Sequence, residues 1–149
     1  MSLPLADALR QCRSHAEHLQ SAIRDIPTPI SEALLDGALP SVIRALDQMV
    51  LRFIKLQDTM GEHVLRGFAV NVLLEPVDDA PLADVLSLLE KHGFLTVQDW
   101  LMQRKLRNAL THEYPDQADR QAAALNATVA ASTQLIEWLT TFEIRTLKA

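Results

Sequence analysis

At 149 residues, 48% apolar and 22% charged, the chain has the size and composition of one globular domain with a core of its own. A formal net charge of −5 argues against a general nucleic-acid coat or a basic membrane binder, though not against a local basic site around Arg104, Lys105 and Arg107. Aromatics at 5% and four glycines are too few for an all-β chain rich in tight turns, so the expectation is an all-α fold of one domain over 1–149.

The first helix is expected over 5–26. Leu5, Leu9, Cys12, Ala16, Leu19, Ile23 and Ile26 alternate spacings of four and three, a coiled-coil-like seam. Arg10, Arg13, Glu17 and Arg24 fall between them as a solvated face, and Pro27 and Pro29 end the helix. Ser31 to Leu35 reads as a short helical turn stopped by Asp36-Gly37. Pro40 opens a long helix to Leu74, with Val42, Leu46, Met49, Phe53, Leu56, Met60, Val64 and Phe68 as its core stripe. Gly61 and Gly67 weaken it and allow a bend or break.

A short helix over 82–92 turns Leu82, Val85, Leu86 and Leu89 inward and is capped by Gly93. Thr96, with Asp99 three residues on, caps a helix over 97–114. Asp116 is the expected N-cap of the last helix, which runs to about Leu147 with Ala118, Ala122, Leu125, Val129, Ile136 and Leu139 inward. Four main helices and one short one, joined by short connections, predict an antiparallel up-and-down bundle.

The helix over 97–114 carries the chemistry. Arg104-Lys-Leu-Arg-Asn-Ala-Leu-Thr-His-Glu-Tyr-Pro115 places Arg107, Asn108, His112 and Tyr114 within eight residues. At about 100° per residue, Asn108 and His112 share one face, and Arg107 and Tyr114 share the adjacent one. Met102, Leu106, Ala109 and Leu110 lie opposite, as the expected buried side. A guanidinium fork, an amide and an imidazole together suit chemistry on a phosphodiester. A His and an Arg at a helix end also serve the macrodipole and the last free carbonyls, so spacing alone does not decide between the two uses.

The pattern R-N-x-x-x-H-x-Y, here Arg107-Asn108-Ala-Leu-Thr-His112-Glu-Tyr114, resembles the signature of the HEPN superfamily and is most similar to its HepT-like toxin branch. The resemblance implies a homodimeric helical bundle acting as a metal-independent endoribonuclease of a toxin–antitoxin pair, with RNA as substrate. It implies Arg107, Asn108 and His112 as catalytic residues, with no metal and no cofactor. It further implies a nucleotidyltransferase antitoxin that transfers AMP to Tyr114. Some HEPN proteins are non-catalytic, which leaves a substrate-binding or accessory subunit of a nucleotidyltransferase as the alternative, and a plain dimeric scaffold as a third.

Other clusters are weighed beside this one. Lys55, Asp58, Glu62 and Arg66 form a polar stripe, either a solvated ladder of i,i+4 pairs or, as the resemblance suggests, a source of an Asp58 that orients Arg107 or His112. Cys12, His15 and His18 bear metal-ligand side chains, but their spacing spreads them around the helix and Cys12 fits the core seam. Trp100 and Trp138 read as core or interface anchors, and His63 and His92 stand alone. No basic segment followed by an apolar run opens the chain, no stretch is long and apolar enough to span a bilayer, and the lone cysteine suits a reducing compartment, so the expected location is cytoplasmic. P-loop, dinucleotide and zinc-protease motifs are absent.

Overall fold

The computed structural model describes residues 3–111 and 117–149. Of these, 78% are helical and none is in a strand, which is the all-α bundle expected. The helices are α1 (Leu5–Arg24), α2 (Glu32–Asp36), α3 (Pro40–Thr59), α4 (Leu65–Asn71), α5 (Leu82–Lys91), α6 (Val97–Leu110) and α7 (Ala118–Leu147). A π-helical turn, Met60–Val64, joins α3 to α4 without a break.

Side-chain partners fix the direction of each helix. Arg52 on α3 meets His15 on α1, and Gly67 further along meets Leu5, so these two run antiparallel. Gly61 faces Trp100 while Asp58 faces Arg107, so α6 runs against α3. Arg13 reaches Glu143 on α7 while Ile30, past the C-terminal end of α1, reaches Asn126, so α7 runs against α1; Gln103 ties α6 to α7 at Gln134. The four long elements therefore alternate up and down. Among the described residues there are two short helices rather than one, since the Ser31 turn closes as α2 with the Ser31 hydroxyl accepting from Leu34 N at 3.0 Å.

The core stripe of the long helix is buried throughout, from Val42 to Phe68. Its later spacing of four, through Leu56, Met60, Val64 and Phe68, drifts around an α-helix by about 40° per step. The π turn opens the helix there, with Leu65 N bonding back to Met60 O, and keeps the stripe pointed inward. Gly61 has a second use. A Cβ built on it would stand 3.0 Å from Trp100 Cζ2, and Trp100 is itself only 1% exposed.

Local signals act where the sequence puts them. Pro40 occupies the first turn of α3, and Thr96 Oγ1 accepts from Asp99 N at 3.0 Å. Gly93, at φ +81°, lets its own N–H reach Glu90 O while Phe94 N reaches Leu89 O, which ends α5 as a Schellman turn. The long helix stops at Asn71, three residues short of the expected Leu74, which instead sits exposed at φ 57°.

Two expectations about faces are corrected. Arg13 is not simply solvated: it forms a forked pair with Glu143 and donates to Thr140 Oγ1 at 3.2 Å. Ala118 is exposed, and the buried stripe of α7 runs through Ala122, Leu125, Thr128, Ser132, Leu135, Leu139 and Phe142. Thr128 and Ser132 are tolerated there because each hydroxyl donates to the carbonyl four residues back, at 2.8 and 2.7 Å. Asn126, not foreseen at all, binds both the N–H and the C=O of Ile30 at 2.8 Å, tying the segment before α2 to α7.

Candidate functional site

Helix α6 is turned differently from the expected arrangement. Its fully buried residues are Trp100 and Gln103, which with Arg107 fall within an arc of about 60°. Met102, expected inside, is 60% exposed, and Leu106, Ala109 and Leu110 are half-buried. The physical reason is that one indole and two hydrogen-bonding side chains outweigh the aliphatic stripe. Trp100 fills the space left by Gly61, and Gln103 and Arg107 find partners on α3 and α7. Arg107 thus lies at the edge of the inner face, while Asn108 remains exposed to solvent.

Asp58 holds Arg107 in a fork. Nε and Nη2 of Arg107 donate to Oδ1 and Oδ2 at 3.2 and 2.9 Å. Arg104, one turn earlier, donates to Oδ1 at 3.1 Å. The polar stripe of the long helix is therefore no ladder of i,i+4 pairs. Its Asp58 crosses to α6, and its Arg66 instead donates to the carbonyls of Val77 and Ala80, at 2.7 and 2.6 Å. Burial by itself would raise the Asp58 carboxyl, but hydrogen bonding to Arg107 and the charges of both arginines outweigh it and hold the group below its ordinary range. The hydrogen bonds to Asp58 in turn raise Arg107, which stays charged. One carboxylate against two guanidinium groups leaves the cluster with a net positive charge.

Behind this cluster lies a buried amide relay. Gln57, fully buried, donates through Nε2 to the backbone carbonyl of Gln103 at 2.7 Å. Gln103, 2% exposed, donates to Ala131 O at 3.0 Å and to Gln134 Oε1 at 2.8 Å. These bonds set the rotation and height of α6 against α3 and α7. Sequence reading missed both glutamines. The available signal was Gln57 at four residues after Phe53 and seven before Val64, a core position bearing an amide.

Helix α6 ends at Leu110, and both the N–H and the hydroxyl of Thr111 donate to Asn108 O, at 3.3 and 2.7 Å. The helix therefore ends four residues before the expected 114, and His112, Tyr114 and the proposed cap Asp116 lie outside the described residues. Of the four motif residues, the structure places Arg107 and Asn108, and it adds Asp58 and Arg104 to them. Beside the end of α6, Ile43, Val50, Leu51, Leu110 and Leu125 line an apolar groove of about 710 Å³.

The alternative metal cluster on α1 does not converge. Cys12 is buried in the core, where burial and then Glu143 push its thiol up to about 12. His15 turns to Arg52 and His18 to the carbonyl of Ser14. Trp100 is a core residue, 6.2 Å from the half-buried Trp138 ring. No helix among the described residues is long and apolar enough to cross a membrane. Comparison with protein-family models, with curated proteins and with solved structures finds no match to this chain.

Proposed function

We propose that this chain is a metal-independent HEPN-type ribonuclease toxin of the cytoplasm, kept in check by a nucleotidyltransferase antitoxin. The observation that carries the reading is the Asp58–Arg107 fork. The arginine of the R-N-x-x-x-H-x-Y pattern is aimed by a carboxylate from a neighbouring helix, with Arg104 adding a second cation. Preorganised cations of this kind stabilise charge that develops during reaction. In the proposed step a ribose 2′-hydroxyl attacks the adjacent phosphorus. The bond from O2′ to phosphorus forms, the bond from phosphorus to O5′ breaks, one proton leaves the 2′-hydroxyl and one is delivered to the departing 5′-oxygen. His112 moves one of these protons as acid or base, Arg107 and Arg104 stabilise the phosphorane, and Asn108 positions substrate or imidazole. A single motif offers one imidazole, so a twofold dimer with two motifs at one cleft is part of the reading. The exposed Leu101 and Met102 on α6 offer an apolar patch for it. Tyr114 is the proposed AMP acceptor.

The test is RNA cleavage in EDTA by the wild type, His112→Ala and Arg107→Lys. Cleavage by the wild type alone supports the reading. A folded, unmodified wild type that cuts no RNA supports the accessory subunit instead.

A further inference from the structure

The solvent face of α3 carries cations that the proposed site does not use. Seen down the helix, Lys55 is displaced by about 60° from Asp58, and Arg52 by about 120°, away from α6 and toward α1. Arg52 Nη1 meets His15 Nδ1 of α1 at 3.0 Å, and His18 stands one turn further along α1. Arg52 Nε is buried with no hydrogen-bond partner among the described residues. Neither Arg52 nor Lys55 forms an ion pair among them. Burial, and then the charges of Arg52, Lys55 and His18, hold the His15 imidazole below its ordinary range, so the charges that His15 feels are all positive. In a chain of net charge −5, Arg52, Lys55, His15 and His18 thus lie close enough together to act on one another.

We infer that Lys55 and Arg52, flanked by His15 and His18, form an anion track that holds the phosphate backbone of single-stranded RNA on its way to Arg104 and Arg107. The inference rests on the ribonuclease reading for its ligand. Its geometry is a diagonal across the outer face of α3, about 9 Å along the axis from Asp58 to Arg52. Arg104 and Arg107 take the phosphate at the reacting end, while Lys55 and Arg52 take phosphates further along the strand.

The test is binding of a labelled 2′-O-methyl oligouridine of about a dozen nucleotides, which the proposed chemistry cannot cut, measured by anisotropy between 50 and 200 mM salt. The variant Arg52→Gln/Lys55→Gln is expected to bind at least tenfold more weakly. The slope of log affinity against log salt should fall by about 1.4, or about 0.7 for each phosphate no longer neutralised. Arg10→Gln/Arg24→Gln, two exposed cations on the far side of α1, is expected to leave both quantities unchanged. Unchanged affinity and slope in the first variant would overturn the track. Should Arg52→Gln impair folding, Lys55→Glu alone, at an exposed residue, must weaken binding severalfold, and no change there overturns it equally. Cleavage of a dinucleotide, too short to reach Arg52, separates the two proposals. A wild type that cuts it while the variant binds the oligomer normally leaves the nuclease and removes the track. A wild type that cuts nothing but loses oligomer binding in the variant leaves the track and removes the nuclease.

Discussion

Around Phe68, Phe94 and Phe142 the helices meet through aromatic rings, with centroids 4.8 to 5.9 Å apart and Arg145 placed over Phe94. Around Asp58 and Gln57 they meet through a carboxylate fork and buried amides. The aromatic end contributes area removed from water, which is large and tolerant of direction. The polar contact contributes less net energy but demands particular distances and angles. The lesson is a division of labour: one region holds the bundle together, and the other fixes how α6 is rotated and where Arg107 points.

The largest expected effect falls on the aromatic side. Phe68→Ala, at a residue with no exposure, should cost about 3–5 kcal/mol of stability in denaturant titration. On the proposed ribonuclease reading, the fraction that remains folded should cut RNA at nearly the wild-type rate. Loss of cleavage out of proportion to unfolding would show that the two regions are not separate.

Asp58→Asn should do the reverse. Its side chain is 30% exposed, so screening limits the loss of stability to about 1–2 kcal/mol, while cleavage should fall more than tenfold as Arg107 loses its fork. The pH dependence sharpens this. The folded-state carboxyl lies below its ordinary 3.8, so the unfolded chain takes up the proton first. The contribution of Asp58 is therefore complete above about pH 4–5 and is lost as pH falls through the lower, folded value. Acid unfolding of Asp58→Asn should lack this component, and a variant whose acid limb overlays the wild type would refute the account.

Gly61→Ala tests the junction of the two regions. Alanine ordinarily favours a helix over glycine, but here the new Cβ meets the confined Trp100 ring at 3.0 Å. A net loss of about 1–2 kcal/mol is expected by thermal unfolding, and a gain would mean that the π turn yields freely. The smallest effect belongs to the exposed Asp7–Arg10 pair, where Arg10→Ala should change stability by less than about 0.5 kcal/mol.

The sequence by itself determined the helices, most of their ends and the inner stripe of the long helix. Proline, glycine and threonine caps act locally, and apolar spacing reports helical phase directly. Residue patterns also singled out Arg107 and Asn108, and raised Asp58 as one of two uses of a polar stripe. The rotation of α6 was decided only in three dimensions. Its aliphatic stripe of Met102, Leu106, Ala109 and Leu110 indicated one inner face, and Trp100, Gln103 and Arg107 took another. A period reports only where the apolar residues of one helix cluster. It cannot report that Gly61 on another helix leaves room for an indole, or that Gln57 and Asp58 present a donor and an acceptor at the matching height. Partners far apart in sequence set that choice, because a buried hydrogen bond needs both of its groups in place before it contributes anything.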